Sequence, residues 1–322
     1  MTHQHIYLCP GQGAQAVGMG QSWRDESPAA ASIFANADEI VELDGGTRLS
    51  ALCFQGPTEL LNRTDVSQPA LFTCGIACHA AMQERGGRIP LAAALGLSLG
   101  EYTALQIAGA FSFSEGLRLV CTRGRLMQKA ADASKGGMVA LIGADESQAN
   151  EVCASAAKGQ VLVTANFNAT GQIVLSGHAE ACDRAVTLAG TMGLRATRLS
   201  VAGAFHSPLM ASAAEGMARA LEHVDLCPLT APVWSNVTGE QHAANDSHTL
   251  KSLLVEQIVK PVRWDKCCLS MLAWRTTQGN GAETSLHELA PGSVLRGLMR
   301  RIDRTAEVIT HDTIEEHNRA KV

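Results

Sequence analysis

The sequence predicts an α/β fold in which a large domain of strands and helices carries a small inserted one, and three observations lead there. Leu91–Leu97 is a short apolar run suited to a buried strand, and it passes through Gly96-Leu97-Ser98-Leu99-Gly100 into a helical stretch at Glu101–Ala108. Between Gly136-Gly137 and Gly203 the elements read β-α-β-β-α-β, the order of a ferredoxin-like unit. The remainder alternates strands with helices, as a mainly parallel sheet covered on both faces does. At 322 residues the chain can bury a large core.

The first apolar segment is Ile6-Tyr7-Leu8-Cys9, which ends at Pro10 and the turn Gly11-Gln12-Gly13. It starts directly after Met1-Thr2-His3-Gln4-His5, so no signal or transit peptide is expected. The second is Leu91–Leu97. Ser98, between two glycines on a sharp strand-to-helix turn, has the spacing of a nucleophile elbow. The glycines let the backbone close and keep side chains away from an incoming group, while the helix aims free N–H groups at the same point. The spacing fits a plain small-residue turn as well. The long apolar stretch Ile89–Ser114 is not expected to cross a membrane, because Glu101 would cost about 2.5–3.5 kcal/mol in lipid and three glycines interrupt it.

Met138–Gly143 is the next strand, followed by a helix over Asp145–Ala157 with an acidic start. Val161–Ala165 and Gln172–Ser176 are strands joined through Asn168-Ala169-Thr170-Gly171. A helix over Ala179–Met192 and a strand over Arg195–Leu199 complete the unit. The predicted division is a large domain from 1–133 and 201–322 with the ferredoxin-like domain, 134–200, inserted. The tail after Ile309 is polar and is expected to be peripheral.

Composition narrows the function classes. With 46% apolar residues, 18% charged residues and a formal charge of -5, neither disorder nor a polyanion-binding surface is indicated, and nucleic acid is not an expected partner. The ten cysteines are scattered, apart from the adjacent Cys267 and Cys268, without zinc spacing, and read as reduced thiols of a cytoplasmic protein. Gly-x-x-x-x-Gly-Lys-Ser/Thr is absent, which argues against nucleotide binding.

A serine hydroxyl is a weak nucleophile at neutral pH, so Ser98 needs a base and a means of holding an oxyanion. His206, in the loop-like Gly203-Ala204-Phe205-His206-Ser207-Pro208, is the best candidate base, although a histidine there can equally be structural. Arg123, in Thr122-Arg123-Gly124-Arg125, could grip a carboxylate bidentately or be a solvated helix residue. Gln257 reads on its own as a solvated helical side chain, and Asn166 and Asn168 as turn formers.

Taken in order, Gly11-Gln12-Gly13-Ala14-Gln15, Gly96-Leu97-Ser98-Leu99-Gly100, Gly203-Ala204-Phe205-His206-Ser207 and Pro291-Gly292-Ser293-Val294-Leu295 make the chain resemble the malonyl-CoA:acyl carrier protein transacylases over nearly its whole length. The resemblance implies an α/β-hydrolase-like large domain. It also implies Ser98 as nucleophile, His206 as base, and the main-chain carbonyl of Gln257 orienting the imidazole in place of a triad carboxylate. By the same likeness the amides of Gln12 and Leu99 form the oxyanion hole and Arg123, not Arg125, binds the malonyl carboxylate. The resemblance further implies that Phe205 restricts space beside the acyl chain in favour of malonyl and that Asn168 lines the cleft at the small-domain edge.

The implied partners are malonyl-CoA and an acyl carrier protein, for fatty acid or polyketide synthesis, with a monomeric enzyme and no bound cofactor or metal. A serine hydrolase or thioesterase, or an acyltransferase subunit of a malonate decarboxylase complex, are the alternatives. Leu97 departs from the histidine that many relatives carry before the nucleophile. Arg296, Arg300, Arg301 and Arg304 follow the Pro291-Gly292 turn at helical spacing, where they form either a docking patch for an acidic carrier or a solvated face.

Overall fold

The computed structural model describes residues 3–87, 89–277 and 284–320. Its strands are β1 (Gln4–Cys9), β2 (Leu91–Gly96), β3 (Gly136–Ile142), β4 (Leu162–Ala169), β5 (Gln172–His178), β6 (Arg195–Arg198), β7 (Thr284–Leu289) and β8 (Val308–His311). They form two sheets: a parallel one ordered β2-β1-β7-β8 and an antiparallel one ordered β4-β5-β3-β6. The fold is the expected α/β architecture, an α/β-hydrolase-like large domain with a ferredoxin-like small domain.

The parallel sheet is buried on both faces, and strict alternation along β1 divides its neighbours. Ile6 and Leu8 pack with Leu95, Leu286, Trp234, Trp264 and Met299. Tyr7 and Cys9 turn the other way, toward the long helix Thr64–Gly86. In the small sheet, Val139, Leu141 and Leu175 face the helices Glu146–Ala157 and Ala179–Thr191. The first of these helices begins on an Asp145/Gln148 capping box. No helix among the described residues is long and apolar enough to cross a membrane.

Two expectations are corrected. The strand expected to stop at Ala165 runs on to Ala169, so Asn166 and Asn168 are strand residues and only Thr170-Gly171 remains as the turn. Asn166 and Phe167 pair with β5 on one side, and on the other Asn166 bridges Val262, with Phe167 N–H donating to the Val262 carbonyl at 2.9 Å. That pairing overrides the turn preference of asparagine.

The tail is not peripheral. Val308–His311 pairs in parallel with Leu286–Leu289, and Ile314 and His317 on the following helix are buried. Its polar residues are tolerated because they are bonded: the His311 carbonyl accepts from Trp23 Nε1 at 3.1 Å, and Thr310 Oγ1 bonds Glu316.

Candidate active site

The chain leaves β2 at Gly96 and turns within three residues into the helix Gly100–Ile107. Ser98, at the apex, has φ 53°, a left-handed conformation costly for a side-chain-bearing residue. The turn closes only because its flanks are glycine: a Cβ on Gly96 would lie 1.8 Å from the carbonyl carbon of Gly100, and one on Gly100 would lie 2.0 Å from the Cys9 carbonyl oxygen. Asn236 and Gln257 hold the strained residue. Ser98 N–H donates to Asn236 Oδ1 at 2.6 Å, and Gln257 Nε2 donates to the Ser98 carbonyl at 3.0 Å.

His206 is also left-handed, with φ 56°, in the loop that precedes the helix Ala211–Glu222. Its Nε2 lies 2.9 Å from Ser98 Oγ and its Nδ1 2.7 Å from the Gln257 carbonyl oxygen. Because a carbonyl only accepts, Nδ1 carries the ring proton and Nε2 is free to accept from the serine hydroxyl. Burial, and next the cation of Arg123, push the imidazole down to about 4, against the opposing effect of the Gln257 carbonyl. The ring is therefore neutral, and able to act as a base, across the physiological range.

Arg123 projects from the middle of the helix Phe113–Asp132 and is 1% exposed. Its Nη1 donates to Gln68 Oε1 at 2.7 Å, and its Nη2 to Gln257 Oε1 at 2.8 Å and Ser98 Oγ at 3.1 Å. The guanidinium sits 5.5 Å from the centre of the Tyr102 ring. Its Nε–H has no acceptor among the described residues, so donor capacity remains for an incoming anion.

The first loop abuts the elbow, since a Cβ on Gly11 would lie 2.3 Å from the Leu97 carbonyl oxygen. The amide N–H groups of Gln12 and Leu99 have no acceptor among the described residues. They are thus available to a developing oxyanion beside the positive end of the helix that follows.

Ser98, His206, Arg123 and Gln257 are thus one hydrogen-bonded cluster. Gln257 is fully buried at the C-terminal end of the helix Ser247–Glu256, which overturns its reading as a solvated side chain. Phe205 is buried next to His206. Asn168 makes no hydrogen bond to the cluster, and its buried Oδ1 has no partner among the described residues. Sequence reasoning missed Gln68, Asn236 and His242, and it weighed Glu101 only as a charge in an apolar run. A charge that interrupts an apolar stretch one turn past the candidate nucleophile was the available signal for Glu101.

Among the described residues, His3, His5 and His287 form a grouping whose ligand atoms lie within 4.8 Å of one another. The His5 and His287 rings are stacked with centroids 3.7 Å apart, so their in-plane lone pairs do not converge on one point. The grouping lies at the start of β1, away from the elbow beyond β2's C-terminal end.

Residues 6–318 match the family model described as the acyl transferase domain. The chain is 39% identical over 300 residues to the malonyl CoA-acyl carrier protein transacylase of Salmonella typhimurium, covering 93% of each chain. It superposes with a TM-score of 0.89 on the crystal structure of the malonyl-CoA:acyl carrier protein transacylase of Xanthomonas oryzae pv. oryzae, at 39% identity over 99% of this chain and 98% of that one. A TM-score of 0.89, at 35% identity over 98% of each chain, also relates it to a malonyl-transacylase solved in complex with its type II PKS acyl-carrier protein.

Proposed function

The chain belongs to the acyl transferase domain family, among its malonyl CoA-acyl carrier protein transacylases, and we propose that it moves a malonyl group from coenzyme A to the thiol of an acyl carrier protein through an ester on Ser98. His206 Nε2 takes the hydroxyl proton as Ser98 Oγ attacks the thioester carbon. The oxyanion of the tetrahedral intermediate rests on the Gln12 and Leu99 amides. Collapse breaks the C–S bond, and His206 returns the proton to the departing coenzyme A sulfur. The carrier's phosphopantetheine thiol then gives its proton to His206 and attacks the ester, and Ser98 recovers the proton as the C–O bond breaks.

The observation that carries this reading is the buried guanidinium 3.1 Å from Ser98 Oγ. A desolvated cation is costly unless an anion meets it, and a neutral ester would bring none. Malonyl brings a carboxylate. Its carboxyl carbon lies about 2.5 Å from the ester carbon by ordinary C–C geometry, within reach of the same guanidinium. Phe205 narrows the space beside the acyl chain, and Asn168 lines the cleft from the inserted unit 134–200. Nucleophile, base, oxyanion donors and carboxylate grip are all protein groups, so the reaction draws on no bound cofactor. The ten free thiols fit a cytoplasmic enzyme.

Incubation with malonyl-CoA followed by intact mass measurement tests the reading. One malonyl adduct is expected on the wild-type protein and none on Ser98→Ala; an adduct that persists in the variant refutes it. Addition of a carrier protein then separates a transferase, which loads the carrier, from a hydrolase, which releases free malonate.

A further inference from the structure

We propose that Glu101 is a positioning residue that holds both the strained nucleophile and the arginine clamp in register, with His242 supporting it from behind. Its carboxylate is almost wholly buried on the first turn after the elbow. Three donors converge on it. Gln257 Nε2 at 2.6 Å and the Asn236 backbone N–H at 3.1 Å share Oε2, and His242 Nε2 lies 2.8 Å from Oε1.

Both residues on Oε2 reach back to Ser98. Asn236 accepts the Ser98 N–H through Oδ1 and donates through Nδ2 to the Gly96 carbonyl at 2.8 Å, while Gln257 donates to the Ser98 carbonyl. One carboxylate oxygen therefore anchors the backbone of Asn236 and the side chain of Gln257, the two residues that hold the backbone of a residue at φ 53°. The carboxylate also settles which way round the Gln257 amide sits. Nε2 faces two acceptors, Glu101 Oε2 and the Ser98 carbonyl, so Oε1 must point at Arg123 Nη2, 2.8 Å away. Without the anion, Gln257 Nε2 keeps only the Ser98 carbonyl as acceptor, and the amide is held less firmly against turning over and presenting its NH₂ to the guanidinium.

Glu101 thus governs acylation geometry at Ser98 and the aim of Arg123, without touching substrate. Among the described residues His242 makes no hydrogen bond to Ser98 or Gln257, and its Nδ1 has no partner. Its role runs through the carboxylate.

The inference rests on the Ser98 ester chemistry proposed above: a wild-type protein that forms no malonyl adduct would remove that reading, whereas normal wild-type loading leaves this one to its own test. Glu101→Gln keeps the shape but leaves one acceptor oxygen for three donors. Single-turnover acylation at saturating malonyl-CoA should fall about 10²-fold, the scale of a small misplacement of reacting groups. The preference for malonyl over acetyl should also fall, by about tenfold, since a hydrogen bond to a charged group has been lost from the clamp. His242→Gln should move both quantities in the same direction by a smaller factor, and the double variant should be no slower than Glu101→Gln alone.

Melting temperatures monitor folding, and if Glu101→Gln does not fold, the selectivity of His242→Gln decides. Variants that lose stability but keep the wild-type malonyl-to-acetyl ratio, or losses that multiply in the double variant, overturn the proposal.

Discussion

Replacing Arg123 with alanine should convert a malonyl-selective acyl pocket into one nearly indifferent between malonyl and acetyl. The guanidinium is buried and bonds Gln68, Gln257 and Ser98 Oγ, so the arriving carboxylate forms a desolvated, charge-assisted pair with it. Removing one partner of such a pair costs about 2–5 kcal/mol. At about 1.36 kcal/mol per tenfold, malonyl loading should slow by roughly 30- to 5,000-fold.

Acetyl has no carboxylate to strand and loses only the contact from Nη2 to the nucleophile, a loss that malonyl shares and that cancels in the ratio of the two. The acceptors left open on Gln68 and Gln257 weaken both reactions alike and cancel in the ratio. Quenched single-turnover acylation with malonyl-CoA and acetyl-CoA, read by intact mass, gives that ratio directly. Equal losses with the two donors would refute the carboxylate clamp and leave Arg123 a structural cation.

His206→Ala should slow acylation by about 10²- to 10⁴-fold, the usual worth of a general base, and a near-normal single-turnover rate would place the base elsewhere. Because burial and Arg123 hold His206 down to about 4, kcat/KM for acylation should stay flat as pH falls from 8 to about 5 and decline only around pH 4; a limb near 6.5 in the pH–rate profile would contradict this. The same shift carries a stability consequence. The unfolded chain takes up the His206 proton near pH 6.5 and the native state only near 4, so urea midpoints should drop as pH falls through that window, and His206→Gln should lessen the drop. Arg300 and Arg301 are exposed on the last turn of the helix Val294–Ile302, with Arg304 beyond its end. If they steer an acidic carrier, reversing their charge should slow transfer to the carrier and reduce its salt dependence while leaving self-malonylation intact; unchanged carrier kinetics would reject the patch.

Local sequence was sufficient for the elements that carry the proposed chemistry and for their order. Gly96 and Gly100 around Ser98, after an apolar run, specify an elbow because any side chain at either glycine would collide with backbone. The β-α-β-β-α-β run needs only its periodicities and turns to be recognised. Elements decided by distant partners were misread. Asn166 looks like a turn former and is a strand residue because Val262 bridges it; the polar tail after Ile309 looks peripheral, yet Thr310 and His311 complete a sheet strand because β7 pairs with them.

The site divides the same way. Ser98 and His206 stand in segments with their own signatures, and the family likeness adds Arg123 and the carbonyl of Gln257. The network of Gln68, Asn236, His242 and Glu101 has no local signature, for the bonds that tie Gln68 to Arg123 and Glu101 to Asn236, His242 and Gln257 span from 55 to 156 residues. A buried carboxylate is tolerable only where donors surround it. That condition is met by the closing of the tertiary fold and by no single stretch of the chain.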